Sequence, residues 1–459
     1  MRFGPPTAAL FAGVILLSGL GAAKPVAAAA LGSPAVLHLG QIDHQDIPPQ
    51  PGSEPDTLVE PDVAVSPVNP DIAVAVAQDG RFAGGGAVDI SYAWTHDGGA
   101  HWQHAPIRGL TKFAGGVWDL VSDPVVAFGP SGDVFVSALV LNTGCATGIA
   151  VLRSTDGGVT FNAPVLAQSS AICDYSDDKD WLVIDTQPAS PHRGRLYQFW
   201  GTFLTVDGHF AGSPQVLRWS DDHGAHWSAT VVVTRPHEAT QDSQPMIQPD
   251  GTITDVYRAR GASLAARTSA DGGATWSAAV EVATSVRDGI PGVRCCLAAA
   301  VADPVTGRMY AVWESHGAGT SDPVELSTSN NGRDWSVPKQ VSRDGSSTTI
   351  QHVNVTVAAY GGRVFVSYGV RDTAISNGRL VQQELSASYD SGRSFAAPLL
   401  LGPLSDLRYA AVAGSKFPGD YIGASATATN VVLVWCVSSR PPNPGQKYHQ
   451  TLFAAVLRP

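Results

Sequence analysis

The chain has 459 residues, with 40 Asp and Glu against 29 Lys and Arg, a formal charge of −11 at pH 7. It lacks a basic stripe, and such a balance excludes nucleic acid and anionic membrane surfaces as partners. Its apolar residues are cut into short Val-, Ala-, Ile-, Tyr- and Trp-rich runs by 48 Gly and 32 Pro, a pattern that excludes a helical bundle and predicts an all-β fold.

At the N-terminus, Arg2 precedes an apolar run from Ala8 to Leu20 and a small-residue stretch from Gly21 to Ala30. That order predicts a secretory signal peptide over residues 1–28, and the run is too short to span a bilayer. No later segment is long and apolar enough to anchor the chain. Residues 29–459 are therefore expected to form one exported, soluble, monomeric domain. Losing Arg2 and Lys24 shifts its formal charge from −11 to −13.

From residue 95 onward a short motif recurs six times: a hydroxyl residue, Asp or Asn two positions on, Gly two further, and an aromatic three beyond. The copies are Thr95-Asp97-Gly99-Trp102, Ser154-Asp156-Gly158-Phe161, Ser220-Asp222-Gly224-Trp227, Ser269-Asp271-Gly273-Trp276, Thr328-Asn330-Gly332-Trp335 and Ser388-Asp390-Gly392-Phe395. The Asp or Asn positions are 59, 66, 49, 59 and 60 residues apart, the length of a four-stranded propeller blade with its loops. Each part has a mechanical role. The short polar side chains accept hydrogen bonds from N–H groups inside a tight turn, Gly supplies a positive φ, and the aromatic folds back onto the apolar layer between sheets. The motif is thus a hairpin staple with no part in chemistry.

A second unit, strand, turn and strand, recurs with starts near residues 60, 123, 180, 244, 296, 352 and 420. Seven units against six boxes predict a seven-bladed β-propeller, its last blade completed by an N-terminal strand at residues 35–39, which leaves no open sheet edge. A six-bladed ring is the alternative.

The boxes resemble the Asp-box, or bacterial neuraminidase repeat, of the sialidase superfamily, over roughly residues 60 to 440. That resemblance implies a propeller and glycosidase activity, and places Arg81 and Asp89 near the family's arginine and acid sites, with Tyr421 or Tyr409 as the phenol. The chain departs from the family where its first blade opens. Where sialidases place an Arg for the sialic-acid carboxylate, this chain has Glu60-Pro61-Asp62, an acidic pair that repels one.

Boxes occupy the third-to-fourth turn of each blade, so ligands are expected on the opposite face. Aligning the units there brings Glu60, Asp123, Asp180, Gln244, Cys296, His352 and Asp420 around an axial pocket, with Tyr421 beside the last. A convergent polar ring is a stronger signal than its members. Asp420, Tyr421 and His352 are the expected catalytic groups. Glu60, Arg81, Asp123, Asp180, Gln244, Arg258 and Arg371 are the expected substrate contacts, the arginines because a planar fork suits a carboxylate. The resulting reading is a secreted glycoside hydrolase acting on a polar saccharide. A non-catalytic carbohydrate- or protein-binding propeller and a polysaccharide lyase acting on uronic acids are the alternatives.

Five cysteines suit an exported chain. Cys145 and Cys173 flank one box and are expected to bridge, while Cys295 and Cys296 either pair with each other or give one member to Cys436. No Cys-x-x-Cys or Cys/His ligand spacing occurs, so neither metal nor cofactor is expected.

Overall fold

The computed structural model describes residues 33–43, 47–287, 289–316 and 321–459. The expected signal peptide lies outside the described residues. Among these, regular structure is β-strand apart from two short 3-10 turns, Ser376–Gly378 and Leu407–Tyr409.

Apart from a separate hairpin, Ala411–Ala413 with Ser415–Phe417, the strands form seven successive antiparallel units built on four strands each. Their first strands are Leu58–Val65, Leu120–Phe128, Tyr175–Ile184, Gln241–Ile247, Ala299–Ala302, Ile350–Tyr360 and Gly423–Ala426. Units one and two are joined by a single residue pair, Ala87 with Val121, and unit three carries an extra edge strand, His209–Gly212. Each first strand touches that of the next unit, and the last touches the first. The fourth strand of unit seven is Ala35–Gln41, from the N-terminal end of the described chain, paired antiparallel with Gln450–Arg458.

The motif turns connect third and fourth strands in units one to six. In the fourth motif, Ser269 Oγ donates to Asp271 Oδ1 at 2.8 Å and accepts from Gly273 N at 2.9 Å. Asp271 in turn accepts from Thr275 N at 2.9 Å and Thr275 Oγ1 at 2.5 Å. The fifth motif departs from the sequence register. There Ser329 Oγ, not Thr328, accepts from Gly332 N at 2.9 Å, and Asn331 accepts from Arg333 N and Asp334 N, both at 2.9 Å. Thr328 instead accepts from Arg308 at 2.6 Å. Two polar pairs overlap in Thr-Ser-Asn-Asn, and the one nearer Gly332 closes the tighter turn.

The motif aromatics are half-buried rather than fully enclosed. Phe161 of unit two packs against Val74, Val76 and Tyr92 of unit one, and Trp276 of unit four against Tyr197 and Phe199 of unit three. Trp102 of unit one packs with Val432 and Val434 of unit seven. Each staple therefore seals its own turn and the seam to the preceding unit.

Cys145 and Cys173 are bridged, as are Cys295 and Cys296; Cys436 is a buried free thiol. Of the two pairings open for Cys295 and Cys296, the structure takes the vicinal one.

Candidate functional site

Every unit has a residue with positive φ in its first strand or in the approach to it. These are Glu60 (54°), Asp123 (50°), Lys179 (47°), Asp242 (64°), Cys296 (89°), Asn354 (53°) and Gly419 (107°). In five units the residue sits at a break in ladder register, between Val59 and Asp62, Ser122 and Val125, Asp178 and Trp181, Gln241 and Gln244, and Val353 and Thr356. A bulge inserts one residue and re-aims its side chain out of the pleat. Left-handed backbone costs a non-glycine residue about 1–3 kcal/mol, and such strain concentrates at functional sites.

Four of these bulges meet at one cavity of about 520 Å³. Its lining includes Glu60, Asp123, Asp178, Lys179, Asp242, Asp420, Arg81, Arg294 and Gln78. Arg294 Nη2 donates to Asp420 Oδ2 at 2.9 Å. Arg81 Nη1 donates to the carbonyls of Phe82 and Val412 at 2.7 and 2.8 Å, and the Arg81 guanidinium lies 4.4 Å from the centre of the Phe417 ring. Gln78 Nε2 donates to Glu60 Oε2 and, at 3.1 Å, to Ser122 Oγ.

Lys179 and Asp242 differ from this bonded set. Both are 3% exposed, and among the described residues neither the Lys179 ammonium nor either Asp242 oxygen has a hydrogen-bond partner. The Lys179 Nζ is held instead over two rings, 3.5 Å from the centre of Tyr421 and 4.2 Å from that of Trp181. Such contacts partly compensate a desolvated cation.

The carboxyls are perturbed as the enclosure requires. Burial, reinforced by Asp123 and Asp420, pushes Glu60 well above the usual range against the pull of Lys179 and Arg81. Burial raises Asp123, with Lys179 opposing. Asp178 is raised to about 7 by burial and by Asp123 and Asp242. Asp242 is raised to about 7 by burial, opposed by Arg258 and Lys179 and reinforced by Asp420 and Asp123. A site with carboxyls split between protonated and ion-paired forms can both give and take a proton near neutral pH.

The cavity thus gathers Glu60, Arg81, Asp123 and Asp420 from the sequence expectation, but not the rest. Asp180 is buried beside the bulge, accepting from Ser137 Oγ at 2.6 Å and Gln198 Nε2 at 3.2 Å. Gln244 lies within the sheet paired with Val256, two residues beyond the bulge at Asp242. His352 is 1% exposed and turned away from the cavity, its Nδ1 2.5 Å from the Asp322 carbonyl and its Nε2 3.3 Å from Asp344. Arg371 spends its guanidinium on Gln351 Oε1 and the carbonyls of Gly378 and Pro291. Arg258 is outside the lining, though its charge acts on Asp242. Tyr421 is buried, donates to the Pro124 carbonyl at 3.1 Å, and serves as the floor under Lys179. Asp89 is buried outside the lining as well.

The expected starts differ by one or two residues from the positive-φ positions in units three, four, six and seven; in the first three of these a bulge inserts a residue that apolar alternation does not mark. Lys179, Asp178 and Asp242 escape the sequence pattern for that reason, whereas Arg294 lies in the approach to unit five, outside any strand. The signal was present in Asp177-Asp178-Lys179-Asp180, four charges opening a strand that then turns apolar.

Residues 71–296 match the model of the BNR repeat-like domain. A search of curated proteins gave no significant match. Among solved structures, the chain is similar to a leech intramolecular trans-sialidase, with 12% identity, 81% of this chain and 70% of that one covered, and a TM-score of 0.50. It is also similar to a Dyadobacter fermentans protein of unknown function, at 14% identity, covering 92% and 100%, with a TM-score of 0.46. A third similar structure is a Penicillium chrysogenum alpha-L-arabinanase, at 14% identity, covering 82% and 99%, with a TM-score of 0.47. Residues 71–296 are thus a BNR repeat-like domain, and the chain shares the all-β fold of the trans-sialidase it resembles.

Proposed function

We propose that the chain is an exported, single-domain, seven-bladed propeller that hydrolyses a glycosidic bond in the 520 Å³ cavity. The closed succession of first-strand contacts and the N-terminal fourth strand of unit seven support the propeller, and the Cys145–Cys173 bridge suits export.

The observation that carries the activity is Asp242, a buried carboxyl with no hydrogen bond from the described residues, facing the same cavity as the ion-paired Asp420. Glycoside hydrolysis needs one carboxylic acid and one carboxylate across the scissile bond. Asp242, raised to about 7, is protonated over much of the neutral range and gives its proton to the leaving oxygen. Asp420, facing Arg294, acts as the carboxylate that attacks the anomeric carbon or activates the water whose oxygen ends there. Lys179 holds a substrate hydroxyl between them.

Incubating the full chain with sialosides, neutral glycosides and uronate polysaccharides, while following reducing ends and absorbance near 235 nm, tests this reading. Hydrolysis releases reducing ends without new absorbance, and Asp242→Asn and Asp420→Asn each lower turnover about a hundredfold or more. New absorbance would assign the site to elimination instead, and an inert protein would leave it a binding surface.

A further inference from the structure

The charge arrangement of this cavity, taken with the hydrolase reading on which it rests, also selects the substrate class. Each lining arginine already has anionic or carbonyl neighbours. Arg294 is paired with Asp420 at 2.9 Å, and Arg81 donates to two main-chain carbonyls beside Glu60. A sugar carboxylate would have to displace Asp420 to reach Arg294, and would add a further negative charge to walls where burial and mutual repulsion among the carboxyls already raise Glu60, Asp178 and Asp242. A like charge brought into a desolvated site of this kind is strongly opposed.

The groups left without protein partners tell what does fit. Among the described residues, those lacking a hydrogen-bond partner are the Lys179 ammonium, both Asp242 oxygens, Gln78 Oε1 and Arg81 Nε, all buried and all on the lining. Lys179 offers donors only, and Gln78 Oε1 and an ionised Asp242 offer acceptors, so the cavity presents both kinds side by side. A hydroxyl is donor and acceptor at once and satisfies either kind without bringing a net charge. An uncompensated polar group held in such burial costs free energy until a ligand pairs it. We propose that the cavity binds an uncharged saccharide whose hydroxyls pair with Lys179 and Asp242, and that it rejects sialic and uronic acids.

The test is a glycan array probed with the full chain, carrying neutral oligosaccharides together with their sialylated, uronic-acid and amino-sugar counterparts. Neutral glycans are expected to be bound, and a terminal sialic or uronic acid on the same core to weaken binding at least tenfold. Lys179→Met and Asp242→Asn should each lose at least tenfold in affinity for the bound neutral glycan without a lower melting temperature. Asp420→Asn, which releases Arg294, should narrow the gap between a neutral core and its acidic counterpart. Preference for an acidic or amino-sugar glycan, binding to none of the array, or full affinity in both Lys179→Met and Asp242→Asn would each overturn the proposal. Because the array reads binding, neutral glycans captured without reducing-end release would remove only the hydrolase reading. Cleavage of sialosides would keep hydrolysis and remove this inference.

Discussion

Asp242 is the residue on which chemistry and stability pull in opposite directions. An aspartate has an ordinary value near 3.9 and here is raised to about 7. Between those values the folded state holds more protons than the unfolded one, so this group's contribution to stability falls as pH rises from about 4 to 7 and stays low above. Asp242→Asn removes the penalty, and no hydrogen bond is lost with the carboxylate. Calorimetry at pH 4, 6 and 8 should show the variant more stable than the parent at pH 8, by on the order of a few kcal/mol, with the gap closing near pH 4. Parallel pH curves for the two proteins would mean that Asp242 is not desolvated in solution. The same value predicts that kcat/KM declines as pH rises through about 7, since the general acid must be protonated. Asp271 is the opposite case, since it works only within its turn. Asp271→Ala strips Thr275 of two partners and should cost about 1–2 kcal/mol. Activity per folded molecule should not change, as a turnover assay corrected for the folded fraction will show.

At the scale of the element, the bulged first strand is the unit that makes a site out of a sheet. A regular strand alternates its side chains between faces, and a bulge breaks that alternation at one place. Repeating the break at Glu60, Asp123, Lys179 and Asp242 brings four polar side chains from four sheets to one cavity. These positions were nearly legible in the sequence, because polar residues stood out against apolar strands. Glu60 and Asp123 were legible to the residue, but Lys179 and Asp242 were not, because a one-residue insertion has no composition of its own. The Cys145–Cys173 bridge acts on the neighbouring loops. It ties the turn between the second and third strands of unit two to the crossover into unit three, across a separation of 28 residues. A closed loop of that size should contribute roughly 3–4 kcal/mol under the chain-entropy model. Cys145→Ser should lower the urea midpoint accordingly, and a non-reduced digest of the parent should yield the linked peptides.

In the proposed seven-bladed ring, closure through the N-terminal strand holds the whole molecule. Without the strand Ala35–Gln41, the strand Gln450–Arg458 of unit seven would present an unpaired edge, which invites pairing with another chain. A chain beginning at residue 43 is therefore expected to unfold at lower temperature and to elute as larger species on size exclusion. An unchanged melting temperature and elution volume would show that closure depends on the first-strand contacts instead. The cavity depends on the same closure, since Glu60 comes from unit one and Asp420 from the approach to unit seven. Loss of the N-terminal strand should thus weaken glycan binding together with stability.

The sequence by itself determined the all-β class, the repeated turns and the approximate start of every unit, because each depends on local chemistry. Gly gives the turn its positive φ, the polar pair satisfies its N–H groups, and the apolar alternation marks the strands. The sequence also marked Glu60, Asp123 and Asp420, whose charge was out of place beside a strand. Only the tertiary structure decided that, among the described residues, the Lys179 ammonium and the Asp242 carboxyl lack hydrogen-bond partners in the cavity, while His352 and Arg371 are bonded elsewhere and Asp180 Oδ2 accepts from Ser137. A hydrogen-bond partner tens or hundreds of residues away has no signature in the local pattern. Pro124, 297 residues before Tyr421, takes the hydroxyl that the sequence had assigned to catalysis. Whether a polar side chain is spent on the protein or left for a ligand depends on what the fold places against it.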